Sequence, residues 1–109
     1  MHPSKAKGDR AEREVAAILS DLLGVPARRK LGAGRMDDMG DLDLIDTCIQ
    51  VANRKDVAAA VRAKPLECEE QRLRAKVDFA ATFIRLRGGE YRVVLTPEQF
   101  AMLWREAQA

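Results

Sequence analysis

The spacing of apolar residues along this chain switches from helical to alternating and back, and that succession of periods restricts the fold more than any other feature. Val15, Ile18, Leu19, Leu22 and Leu23 fall at i, i+3, i+4, i+7 and i+8, the stripe of an amphipathic helix. With Ser4 as cap and Gly24 and Pro26 as the stop, this helix is predicted over residues 5–23. Ala27 to Leu31 reads as a short strand, and Gly32 to Gly40 as a loop punctuated by glycine. Asp41-Leu42-Asp43-Leu44-Ile45 alternates polar and apolar, a strand pattern, and after a turn near Asp46 and Thr47 the segment Cys48–Asn53 reads as a buried strand. Residues 56–76 are expected to be helical with a restart at Pro65, because Pro suits a first turn and disrupts later ones. Phe79–Arg87 and Tyr91–Thr96 are strand-like around Gly88-Gly89, a hairpin signal. Thr96-Pro97-Glu98-Gln99 matches a capping box, and Phe100, Leu103, Trp104 and Ala107 form a stripe that reads as core packing. The order α, β, β, β, α, β, β, α defines an α/β fold: a helix, a three-stranded meander, a crossover helix, a hairpin and a C-terminal helix.

At 109 residues the chain is expected to form one domain, with residues 1–4 as a mobile tail. No stretch approaches the ~20 apolar residues of a membrane span. The basic opening MHPSKAKGDR has no apolar run behind it, so a cytoplasmic location is expected. Cys48 and Cys68 have no metal-ligand spacing; a disulfide is open to them, and an intracellular chain favours two reduced, buried thiols. The sole histidine is His2. That argues against His-ligated zinc and against Ser/His/Asp or Cys/His catalysis. Chemistry is left to carboxylates, amides, lysines, arginines and an ion that prefers oxygen ligands.

The net charge of +2 conceals a pattern. Residues 1–35 carry eight Lys/Arg against four acids, residues 36–56 six Asp against Arg54 and Lys55, and residues 57–109 nine Lys/Arg against seven acids. An acidic segment between basic flanks suits a metal site served by a polyanion-binding surface, and scattered surface charge gives the same totals. Glu12 lies about 60° from Val15 on a helical wheel, at the inward edge of the stripe or just reaching solvent from it. Gly8, one turn earlier, leaves room for close approach of a backbone or a ligand. Strand parity puts Asp41 and Asp43 on one face. Two close carboxylates there either invite Mg²⁺ or Mn²⁺ or line a solvated edge. Gln50, Ala52 and Arg54 share a face of the next strand, and pairing of the two strands would bring the Gln50 amide oxygen near Asp41. Arg28, Arg29, Lys30 and Arg35 precede the acids and, with Lys5 and Lys7, form a basic set suited to phosphates or to solvent.

Lys7-Gly8-Asp9-Arg10-Ala11-Glu12-Arg13-Glu14 resembles the KGxxxERE opening of the archaeal-type Holliday junction resolvases. Gly40-Asp41 followed by Ile49-Gln50-Val51-Ala52-Asn53 resembles that family's "D … (V/I)E-x-K" segment. The chain is also similar to small phage-encoded nuclease-like proteins. The resemblance implies a restriction-endonuclease-like core of the PD-(D/E)XK superfamily. It further implies a Mg²⁺-dependent endonuclease acting on branched or structured DNA as a homodimer, with Glu12 and Asp41 as metal ligands. Gln50 stands where the family has a ligand Glu, and Ala52 where it has a Lys. An amide keeps an oxygen ligand and gives up a full negative charge. Losing the lysine removes a donor that can be worth ~10²–10³ in rate. Arg54 and Lys55 are the candidates to replace it, with Lys64 and Gln71 on the following helix as further ones.

Three functions follow. The first is a working Mg²⁺-dependent endonuclease with Glu12, Asp41, Asp43 and Gln50 around the ion and Arg54 or Lys55 as the cation. The second is a catalytically degraded relative that binds DNA structure without cutting. The third is a protein-binding module on the same fold.

Overall fold

The computed structural model describes residues 3–29 and 40–109, the first four of them as backbone only. Three helices, α1 (Pro3–Leu23), α2 (Val57–Ala75) and α3 (Pro97–Gln108), alternate with five strands. These are β1 (Arg28–Arg29), β2 (Leu42–Leu44), β3 (Thr47–Ala52), β4 (Phe79–Arg85) and β5 (Tyr91–Val94). The order of elements is the one read from the periodicity. The strands form one mixed sheet in the order β1-β2-β3-β4-β5. Only β3 and β4 run parallel, joined by the α2 crossover; the other neighbours are antiparallel.

The sheet is packed on both faces, as an α/β arrangement requires. Val15 and Leu19 of α1 bury against Leu42, Ile49 and Phe83. On the opposite face Cys48 and Ala80 meet Cys68 of α2, and Ala52 and Ile84 meet Ala60 of α2. Cys48 and Cys68 are buried and are not joined in a disulfide. Strand parity explains the division: Cys48, Gln50 and Ala52 point to the α2 side, and Ile49 and Val51 to the α1 side.

Several boundaries differ from expectation. Helix α1 already includes Pro3 and Ser4, so Ser4 is no cap. Its buried stripe is Ala11, Val15 and Leu19, narrower than predicted, because Ile18, Leu22 and Leu23 stay exposed. Gly24, at φ 69, donates its N–H to the Ser20 carbonyl and closes the helix. Helix α2 runs through Pro65 without restarting. Asp56 caps it, accepting a hydrogen bond from the Ala59 N–H at 3.0 Å, and the buried Pro65 costs one backbone donor within a well-packed helix. Thr96 caps α3 as read, accepting from the Gln99 N–H at 3.1 Å. The reciprocal half of the capping box is absent, since the Gln99 side-chain amide donates to Glu69 on α2 at 3.0 Å. The stripe of α3 is not core: Phe100 is 60% and Trp104 57% exposed. Gln99 is the buried residue of α3, and its amide ties the helix to Glu69 of α2. Among the described residues no helix is long and apolar enough to cross a membrane.

Candidate functional site

A cleft of about 570 Å³ opens at the end of the sheet where β2 begins and β3 ends. Its walls carry Glu12, Asp41 and Gln50, together with Lys7, Arg54, Lys55 and Lys64. The carboxylates come from α1 and the entry to β2, the amide from β3. Each reaches the cleft for a local reason.

Asp41 is fixed by its own backbone and side chain at once. Its N–H donates to the Ile49 carbonyl at 2.7 Å, and its Oδ2 accepts from the Val51 N–H at 2.8 Å. The ladder pairs Leu42 with Ile49, so one step further the register sets Asp41 opposite Gln50. Gly40 makes this turn possible: its φ is +100°, and a Cβ there would sit 2.9 Å from Cys48 Sγ and 3.0 Å from the Ile49 carbonyl oxygen. Gln50 is buried, and its Oε1 has no hydrogen-bond partner among the described residues. A buried amide oxygen without a donor costs on the order of 1–3 kcal/mol, a cost that a ligand in the cleft would remove.

Glu12 reaches the cleft from the edge of the α1 stripe, one turn past Gly8, which also lines it. Among the described residues nothing lies within 4 Å of a Cβ built at Gly8, so none of them makes the close backbone approach expected there, and the missing side chain widens the cleft. Burial holds the Glu12 carboxyl above its ordinary pKa, and the charge of Asp41 pushes the same way. Arg29 opposes both, donating to Glu12 Oε1 at 3.2 Å and to Asp9 Oδ1 at 2.8 Å. Two carboxylates repelling each other beside an unpartnered amide oxygen make an all-oxygen set suited to a hard divalent cation. Among the described residues no group of three or more His, Cys, Asp or Glu gathers, so such a site would rely on the amide as its third donor.

The remaining candidates separate. Asp43 is exposed and lines a different groove with Arg28, Asp46 and Val77. Parity does put it on the face of Asp41, but two residues of strand rise, ~6.6 Å, carry it away from the sheet end. Arg28 sits opposite Asp43 across the β1–β2 ladder, also outside the cleft. Arg29 is held by Asp9 and Glu12, so it positions a carboxylate instead of presenting a cation. Lys7, Arg54 and Lys55 do line the cleft. Lys30, Arg35 and the side chain of Lys5 lie outside the described residues. Gln71 is buried beside Cys48, with Cys48 Sγ 3.9 Å from its Oε1, and is absent from the cleft lining. Ala52 is buried against Ala60 and Ile84.

Three residues have roles that the sequence reading did not assign. Asn53 donates its side-chain amide to the Lys7 carbonyl at 3.2 Å and ties the end of β3 to α1. Glu14 accepts from Arg85 and from the Tyr91 hydroxyl, clamping α1 to β4 and β5. Arg29 bridges two acids of α1 from β1. A polar residue closing a strand hinted at Asn53. No local pattern marks a partner 71 positions away, as Arg85 is from Glu14. No family model matches the chain, and no curated protein or solved structure matches it.

Proposed function

We propose that the chain is a Mg²⁺- or Mn²⁺-dependent endodeoxyribonuclease with a restriction-endonuclease-like core, acting on branched or structured DNA in the cleft of Glu12, Asp41 and Gln50. The observation that carries this reading is the convergence of two carboxylates with a buried, unpartnered amide oxygen between cationic walls. Glu12, Asp41 and the Gln50 Oε1 would hold the ion, which when bound supplies polarisation of a phosphodiester and a more acidic water. Lys7, Arg54 and Lys55 supply the positive charge that draws a DNA backbone to the same cleft. Pairing of two copies on the DNA goes with this reading through the family resemblance.

Labelled four-way junctions, flaps and duplexes incubated with purified protein and Mg²⁺ or Mn²⁺ test it. Cleavage is expected on at least one structured substrate and is lost in Glu12→Ala and Asp41→Ala variants that remain folded. An unmodified chain inert on every substrate, with either ion, overturns it.

A second reading is a DNA-structure-binding protein that no longer cuts. Two observations favour it: Ala52 is packed into the core, and among the described residues the cleft lining carries two carboxylates. Salt-sensitive junction binding that is unchanged in Glu12→Ala, without cleavage, is its signature.

A further inference from the structure

Helix α2 crosses β3 so that a stripe of one meets alternate residues of the other. On α2 the stripe is Ala60, Lys64 and Cys68, spaced four residues apart and therefore stacked on one face. On β3 the matching residues are Ala52, Gln50 and Cys48. Ala52 packs with Ala60 at one end, and Cys48 packs with Cys68 at the other. The crossing thus sets Lys64 over the part of β3 that carries Gln50, and both side chains line the cleft. Small residues flank the pair on both elements, bringing helix and strand close.

A lysine on the inward stripe of a helix, between residues 4% and 1% exposed, is unusual. Its side chain is only 18% exposed, so its stem lies along the protein, and the residue forms part of the cleft wall. By contrast, Arg54 and Lys55 are exposed residues just beyond the strand end. Lys64 Nζ also lies 3.2 Å from Glu67 Oε1, a carboxylate 47% exposed on the outer side of the same helix. An ammonium has three donors, and one such bond leaves two.

We infer that Lys64 is the phosphate-contacting cation of this cleft, delivered from α2 to a non-bridging oxygen of the phosphodiester held beside Glu12, Asp41 and Gln50. The inference rests on reading the cleft as a phosphodiester site. In hydrolysis a water oxygen bonds to phosphorus and the phosphorus–oxygen bond to the leaving alkoxide breaks. The proton lost by water ends on that alkoxide or in solvent. Lys64 donates a hydrogen bond to the oxygen on which negative charge grows, where one such donor is worth ~10²–10³ in rate.

Lys64→Met tests the contact, because an apolar chain of similar length suits the stripe. Junction binding is measured in Ca²⁺ across a salt series. The slope of log affinity against log salt is expected to fall by about one unit, the signature of one lost phosphate contact. Cleavage in Mg²⁺ is expected to drop ~10²–10³-fold, and added methylammonium is expected to restore part of it in Lys64→Ala. Glu67→Gln separates this role from a merely structural ion pair. A lysine that only pairs with Glu67 gives both substitutions the same small stability change and leaves the salt slope intact. That result overturns the inference, as does full cleavage by Lys64→Met. An inert wild type whose salt slope still falls in Lys64→Met sinks the nuclease reading and keeps the phosphate contact.

Discussion

Asp41 owes its place to what Gly40 lacks. A methyl group there meets Cys48 and the Ile49 carbonyl, and the positive φ disfavours any side chain. Gly40→Ala is expected to destabilise the fold by ~1–3 kcal/mol and to weaken Mg²⁺ response, read from urea midpoints and metal titrations. Gln50 makes the opposite case. Restoring a carboxylate with Gln50→Glu adds a full negative charge next to Glu12 and Asp41. Without metal the variant is expected to be less stable than wild type at pH 7, because a buried acid at this position repels the two partly buried ones. With Mn²⁺ it is expected to bind the ion at least ~10-fold more tightly, since even 1.4 kcal/mol of added attraction gives that factor. Isothermal titration at pH 7 decides, and unchanged affinity counts against Gln50 as a ligand.

At the scale of elements, α1 is held to the sheet through Glu14. Its carboxyl sits below the usual pKa because the Tyr91 hydroxyl donates to it, with Arg85 and Arg10 adding their bonds. Burial and the same carboxylate push Tyr91 up to about 12, so its hydroxyl stays protonated and keeps donating. A carboxyl whose pKa is depressed on folding stabilises the protein above its ordinary pKa, and loses that contribution as pH falls through the folded value. Glu14→Gln is therefore expected to lower stability by about 1 kcal/mol at pH 7, a charge-assisted bond discounted for partial exposure. The gap from wild type should close toward pH 3, as urea melts at both pH values would show. Helix α3 is bound differently. Since Phe100 and Trp104 are largely exposed, Trp104→Ser is expected to cost less than ~1 kcal/mol, against the ~3–5 kcal/mol of a core tryptophan. A loss of core size would restore the stripe to the interior.

At the scale of the whole molecule, the cleft exists only where α1, the start of β2, the end of β3 and α2 come together. An ion that binds only this assembled cleft stabilises the fold by mass action. Mg²⁺ or Mn²⁺ at saturating concentration is expected to raise the melting temperature of the wild type by several degrees. The shift is expected to disappear in Glu12→Ala and in Asp41→Ala. Scanning calorimetry with and without the ion makes the comparison, and an equal shift in all three proteins would place the ion elsewhere.

Local periodicity was enough to determine the order of elements, the hairpins at Asp46 and Gly88-Gly89, and the caps at Thr96 and Gly24, because each depends on residues within a few positions of one another. It also marked Glu12, Asp41 and Gln50 as side chains of interest, through stripe edge and strand parity. Tertiary structure alone decided which of them meet: strand rise removed Asp43, two acids of α1 captured Arg29, and the crossing of α2 over β3 brought in Lys64. It also decided that the α3 stripe faces outward, with Gln99 buried in place of Phe100 and Trp104. Contacts between residues 20 to 70 positions apart depend on how layers stack, and no spacing along the chain records that.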